Sequence, residues 1–326
     1  MTEVIATTPG LFPLPDRAKE ELADLKGHQK DDLISGDESG AVVEAYDRAR
    51  NEVLETQEAD GLDRVSEGQL RWDDMLAHPL TVHENVETRG IVRYYDNNNF
   101  YREPVVSGEL TYDGDVAAEL DAAPAADQAV LPGPYSLSEL ATDEHYGDEA
   151  AFLDAVAAFL AGEADGFPGV ETLFVLEPSL VTDPPADGED ARASAAIDRV
   201  ADAVDAEVVV HTYWGAMPEK PYAHLMDADV DAIGFDFVAD HEENVYNIQE
   251  YGTKDSVALG VVDGKNTLVE TPAEIADRVE WVRENAPAQE FETVYATANT
   301  ELFYLPVNKF EAKLESLAAA PGEVSR

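Results

Sequence analysis

Three consecutive valines, at 208–210, run straight into His211, and the chain then breaks into Tyr213, Trp214 and Gly215. Apolar β-branched runs are how buried strands read. A histidine at the mouth of one is placed to bind a metal, move a proton or hold a ligand. It could equally be a hydrogen-bonded core residue. Other apolar runs end in the same manner. Thr7 and Thr8 close the first, and Asp96, Asn97 and Asn99, then Tyr101 and Arg102, close the second. Glu177, Asp236, Asp263 with Lys265, and Asn299 with Thr300 close later ones. Donors and acceptors converging on one mouth are what a polar small-molecule pocket requires. The expected ligand-facing set is therefore Asp96, Asn97, Asn99, Arg102, Glu177, His211, Asp236, Asp263 and Lys265. Glu177 is the hardest to dismiss, because an unpaired buried carboxylate is costly. "DNNN" and Asp263-Gly264 also read as ordinary turns.

The elements that must carry these residues are short apolar runs at 4–10, 90–99, 129–134, 172–179, 207–215, 232–237, 257–264 and 293–300. Between most of them lie helical patterns, as at 148–164, 189–206 and 271–286. The last opens on Thr271 with Glu274 three residues on and Pro272 between, a capping-box signature. Repeated β–α alternation argues for a parallel sheet, and about eight strands is the arithmetic of a (β/α)8 TIM barrel. A doubly wound open sheet is the alternative, but no Gly-rich phosphate fingerprint follows the first strand. A single barrel over residues 1–326 is expected, with an N-terminal helical insertion at about 16–85 and a hairpin-containing insertion at about 103–128.

The 326 residues carry 69 acidic and 21 basic side chains, a formal net charge of −48. Phosphate backbones need Lys and Arg, so nucleic acid is not an expected partner. With 44% hydrophobic residues, a folded protein under a carboxylate coat is the better reading than disorder. Such a coat suits a cytoplasm near molar salt, where the Debye length is about 3 Å. No stretch approaches the roughly 18 apolar residues of a membrane span. The opening "MTEVIATTPG" lacks the basic flank and apolar core of a signal peptide, so a cytoplasmic location is expected. There is no cysteine, so any metal would fall to His, Asp, Glu or water.

Several segments together resemble the cobalamin-independent methionine synthase family. "LGVVDGKNTLVETPAEIADRV" (259–279) is similar to its late strand–loop–helix segment, and "VLPGPYSLSEL" (130–140) to its Gly-Pro turn after the third strand. "LFVLEPSLVTD" (173–183) resembles its Asp-Glu-Pro-Ala-Leu segment, with Leu176 in place of the Asp and Glu177 kept. "RYYDNNNFYREPVV" (93–106) and "TTPGLFP" (7–13) look like its aromatic–Asp–Asn–Tyr stretch and its opening turn. The order of these segments is the family's own.

The resemblance implies methyl transfer from a methylated folate or other C1 carrier to homocysteine. Family enzymes are usually two fused barrels. The C-terminal one holds zinc through one His, two Cys and one Glu, and the zinc presents homocysteine as a thiolate. The N-terminal barrel is a metal-free copy that helps hold the donor. Matched onto this chain, the zinc His falls at His211, and the other ligand positions are Tyr213, Gly234 and about Thr300. One imidazole cannot hold a structured zinc site. "HTYWG" and "TELFYLPV" also look more like the metal-free half. The resemblance thus implies a zinc-less donor-binding barrel, with no cofactor of its own, acting with a separate zinc-bearing paralogous barrel. In that role Asp96, Asn97, Asn99 and Asp263 would face the donor, and Lys265 and Arg102 would meet its carboxylates. His211 would hydrogen-bond Glu177 or a ligand. A non-catalytic barrel that binds a C1 carrier or regulates a partner is the alternative.

Overall fold

The computed structural model describes residues 2–24, 38–94, 99–112 and 114–324. Seven parallel strands form one curled sheet in the order β1, β10, β9, β8, β7, β6, β4. They are β1 (Glu3–Ala6), β4 (Gln128–Pro132), β6 (Thr172–Leu176), β7 (Glu207–His211), β8 (Ala232–Asp236), β9 (Ser256–Val262) and β10 (Thr293–Ala298). Every residue of β4, β6 and β8 is buried, as expected of strands covered on both faces. Each Val, Leu or Phe side chain sequestered there contributes roughly 1.5–3 kcal/mol.

Seven of the eight expected strands take these places. The eighth does not: the described residues of 90–99 belong to a hairpin outside the barrel. There β2 (Val86–Tyr94) pairs antiparallel with β3 (Asn99–Val106), and β3 pairs with the two-residue β5 (Thr142–Asp143). The hairpin expected in "PVVSGELTYDG" therefore lies upstream of it, because 103–106 already belong to β3.

The gap between β1 and β4 is bridged by residues 63–66. Asp63 N and Arg64 N donate to Ala6 O, and Gln128 N donates to Val65 O. Ser66 bridges Gln128 in parallel. Two carboxylates replace missing ladder bonds: Asp63 Oδ2 accepts from Ala6 N at 2.8 Å, and Asp127 Oδ1 from Val65 N at 2.7 Å. The stave that closes the ring is thus held by side chains as well as by backbone.

Helices α1 (Asp16–Asp24) and α2 (Gly40–Asp60) precede this stave, and α3 (His78–Thr81) follows it. Ser39 caps α2 by accepting from Val42 N, and Gly61 ends it at φ 86°, a left-handed conformation that glycine takes without strain. Next come α4 (Asp115–Asp121), α5 (Pro134–Leu140), α6 (Glu149–Asp165), α7 (Ser179–Thr182) and α8 (Asp190–Ala201). The last four are α9 (Glu219–Asp227), α10 (His241–Tyr251), α11 (Pro272–Asn285) and α12 (Val307–Ala319). The capping box of α11 forms as its sequence requires, with Thr271 and Glu274 bonded reciprocally. No helix among the described residues is long and apolar enough to cross a membrane.

Candidate functional site

The carboxyl ends of the strands gather the polar residues. His211 ends β7 and is fully buried, flanked edge-on by Phe174 and Tyr213 at ring distances of 6.0 and 5.3 Å. Its Nε2 lies 3.2 Å from Asn299 O, a carbonyl that only accepts, so Nε2 carries the proton. Nδ1 is then a lone pair, and it has no hydrogen-bond partner among the described residues. Burial drops the imidazole pKa to about 4, so the ring is neutral at ordinary pH. The expected side-chain bond to Glu177 is not made, because Asn299 takes the donor. Only the backbones meet, Glu177 N donating to His211 O at 2.9 Å.

Asp236 ends β8 and is saturated with donors. Oδ1 accepts from Val238 N, Ala239 N and Asn299 Nδ2 at 2.8–3.0 Å, and Oδ2 from Trp214 N at 2.9 Å. Burial nevertheless raises its pKa. The bond to Trp214 matters because that residue sits at φ 65°, where an L side chain is strained. Asp236 thus helps hold the indole in place at the mouth. Asn299 ties three strand ends together, since its Oδ1 also accepts from Gly264 N at 2.9 Å. Beyond it, Asp263 turns the β9 loop by accepting from Lys265 N and Asn266 N, and Lys265 places its ammonium 4.4 Å over the Trp214 ring.

Glu177 faces elsewhere. Its carboxylate covers the start of α5, accepting from Tyr135 N at 3.0 Å, Ser136 N at 2.8 Å and Ser136 Oγ at 2.6 Å. Gly133 leaves room for it: a Cβ there would fall 2.0 Å from Glu177 Cδ. Burial outweighs these three donors and pushes the carboxyl up to about 7. Glu177 therefore bonds β6 to the loop after β4. Arg102 lies on the hairpin, exposed and 3.2 Å from Asp73. Asn99 opens β3, and Asp96 and Asn97 lie outside the described residues. The structure thus brings together His211, Asp236, Asp263 and Lys265, with Glu177 one strand away.

Other buried polar residues at the same end were not singled out from the sequence. Glu301, after β10, is buried; Thr300 Oγ1 donates to its Oε2, and Oε1 has no partner among the described residues. Along the closing stave, Gln69 Oε1 accepts from Leu11 N at 2.9 Å, and Glu67 Oε1 accepts from Gln69 N at 2.8 Å. Burial pushes Glu67 up to about 8. Gln128 accepts from Thr7 Oγ1 and donates to Thr8 O. The available signal for the stave was "SEGQLRWDD" (66–74), a polar run with no helical period inside an otherwise helical stretch.

Residues 82–287 match the family model described as the N-terminal domain of cobalamin-independent synthases. The chain belongs to the cobalamin-independent methionine synthase family. Among its relatives, the methionine synthase of Saccharolobus solfataricus is 24% identical over 297 residues, 87% of this chain and 84% of that protein. That of Sulfurisphaera tokodaii is 24% identical over 280 residues, 83% and 78% of the two chains. A solved B12-independent methionine synthase from a Shewanella species, in complex with selenomethionine, superposes with TM-score 0.77 at 19% identity, covering 98% of this chain and 96% of that one. The putative Listeria monocytogenes enzyme gives TM-score 0.68 at 14% identity, covering 99% and 98%.

Methionine synthases of this family use zinc, so the donor set here bears on how this member works. Of the four implied ligand positions only His211 offers a metal ligand of the family's kind. Gly234 carries no side chain, and its backbone packs on the imidazole so closely that a Cβ would fall 2.1 Å from Nδ1. Tyr213 is buried beside the same ring. Among the described residues no group of three or more His, Cys, Asp or Glu is placed to hold a metal ion.

Proposed function

We propose that this chain is the zinc-less, donor-binding half of a methionine synthase, cooperating with a separately encoded barrel that bears the zinc. The reaction is methyl transfer from a methylfolate or another C1 carrier to homocysteine. The observation that carries this reading is the packing of Gly234 against His211 Nδ1, which occupies the space a carboxylate ligand would need. Three protein ligands are the minimum for a catalytic zinc, and the residues present do not fit that requirement. The match to the family's N-terminal domain supports the same assignment.

In this reading the barrel binds and orients and does no bond-breaking itself. The neutral His211 and the saturated Asp236 hold the rim rigid, and Lys265 offers the mouth a cation for an anionic substrate group. The carboxylate coat supports action in a salt-rich cytoplasm. The test is methionine formation from homocysteine with methylfolate or methylcobalamin as donor. It compares this protein alone, a cysteine-bearing family barrel alone, and the two mixed. Stimulation only in the mixture is expected. Full activity of this chain alone overturns the proposal, and no effect in the mixture assigns the chain to C1-carrier binding or regulation.

A further inference from the structure

We propose that the cleft between α10 and α11, on the flank of the barrel, binds a planar aromatic monocarboxylate. The ring lies against Trp281 and Phe237, and Arg278 takes the carboxylate. None of the mouth residues His211, Asp236, Asp263 and Lys265 lines this cleft. The proposal therefore stands apart from the division of labour between two barrels.

The cleft encloses about 430 Å³, inside the range of about 300–1,000 Å³ usual for small-ligand pockets. Its walls are Phe237 and Val238 from the loop after β8, His241 at the start of α10, and Trp281 and Val282 from α11. Phe237 and Val282 are buried, so the floor is apolar. The imidazole and the indole meet edge to face, with ring centroids 5.1 Å apart and planes at 74°. Rings set this way present faces and edges that a third ring engages more favourably than an alkyl chain does.

Arg278 supplies the charge. Its Nη1 donates to Val261 O and lies 3.6 Å from Glu270 Oε1. Glu270 is already engaged, since Oε2 accepts from the buried Lys313 at 2.5 Å and Oε1 from Asp263 N at 2.9 Å. Among the described residues, Nε and Nη2 of Arg278 donate to nothing. These donors form one edge of the guanidinium fork, the edge that a carboxylate meets with two parallel bonds. With 69 acidic side chains to 21 basic ones, a cation here finds carboxylates readily, so a fork edge left open at a cleft is informative. Asp277 lines the same cleft, and its charge disfavours a second anionic group on the ligand.

The cleft is held in shape in advance, which lowers the ordering cost of binding. Val238 N and Ala239 N donate to Asp236 Oδ1 at 3.0 and 2.8 Å, and Phe237 N donates to Gly260 O at 3.1 Å. On the other wall, the capping box of Thr271 and Glu274 fixes the start of α11.

Calorimetric titration of the full chain in about 1 M KCl, where the carboxylate coat is screened, tests the proposal. The probes are indole-3-acetate, indole-3-acetamide and cyclohexylacetate. The indole acid should bind with a dissociation constant of about 1 mM or lower. Loss of the charge in the amide, or of the planar ring in the cyclohexyl acid, should each weaken binding by about fivefold or more. Arg278→Met should abolish the preference for acid over amide and keep the preference for the planar ring. Val238→Trp, which fills the cleft, should remove binding altogether. A merely structural role for Arg278 would weaken all three probes alike. Equal binding of acid and amide by the wild-type protein overturns the proposal, as does absence of saturable binding of indole-3-acetate. So does binding that survives Val238→Trp in protein shown to be folded by circular dichroism. An acid preference unchanged in Arg278→Met also overturns it, whether or not the Val238→Trp variant folds.

Discussion

Replacing Glu177 by Gln separates two opposed forces on one buried carboxyl. Three donors, Tyr135 N, Ser136 N and Ser136 Oγ, favour its ionised form, whereas full burial favours the neutral one. Burial is the larger, lifting the folded-state pKa from 4.5 to about 7. Between those values the unfolded chain has released the proton while the folded chain keeps it. Stability contributed by this group therefore falls as pH rises, by about 1.4 kcal/mol per pH unit, and levels off above the folded pKa. From pH 5 to pH 7 the loss is about 2 kcal/mol, because the group is already half titrated at pH 7. Gln has the shape of the protonated acid and does not titrate. Because the amide nitrogen cannot accept where Oε1 accepts from Tyr135 N, Glu177→Gln should cost about 1–3 kcal/mol at pH 5 and regain about 2–3 kcal/mol on wild type by pH 8. Urea unfolding at several pH values in about 1 M KCl is the assay, because surface carboxylates are then screened within about 3 Å. A wild-type protein that gains on the variant as pH rises would refute the reasoning, since the helix start and Ser136 would then outweigh burial.

Gly133→Ala places a Cβ 2.0 Å from Glu177 Cδ and should lower stability by about 3 kcal/mol or more, read as a fall in the thermal midpoint. Gly169→Ala, with nothing within 4 Å of the added carbon, is its control and should stay within about 0.5 kcal/mol of wild type. Asn299→Ala strips partners from Gly264 N and one from Asp236 Oδ1, so about 2–4 kcal/mol should be lost in denaturant unfolding. A cost below about 0.5 kcal/mol would show that Asn299 does not tie the strand ends together.

How much of this was legible in the sequence follows from the character of each segment. The seven strands from β1 to β10 that form the sheet were readable because residues such as 208–210 and 257–262 are apolar and flanked by turns. The closing stave was not, because "DRVS" (63–66) has one apolar residue and bonds partly through Asp63 and Asp127 side chains. The run at 90–99 reads as a stave because "GIVRYY" carries strand-forming residues, whereas its described residues belong to the hairpin. Ile91 is in fact 67% exposed, so what was read as core is a solvent-facing arm. At the site, strand-end reasoning placed His211, Asp236, Asp263 and Lys265 at one mouth. It did not find Glu301, whose burial depends on how the loop after β10 folds back on Gly264. Nor could it separate Glu177, because a carboxylate that serves a ligand and one that covers a helix start look alike until Gly133 and Ser136 are seen beside it.

The central claim concerns the donor set around His211, and metal content tests it most directly. The purified protein, equilibrated with zinc and then dialysed against a weak chelator, should retain far less than one zinc per chain by elemental analysis. Installing ligands at Tyr213 and Thr300 should not raise that content while Gly234 stays pressed against His211 Nδ1. One tightly held zinc per chain in the wild-type protein, lost on His211→Ala, would contradict the account.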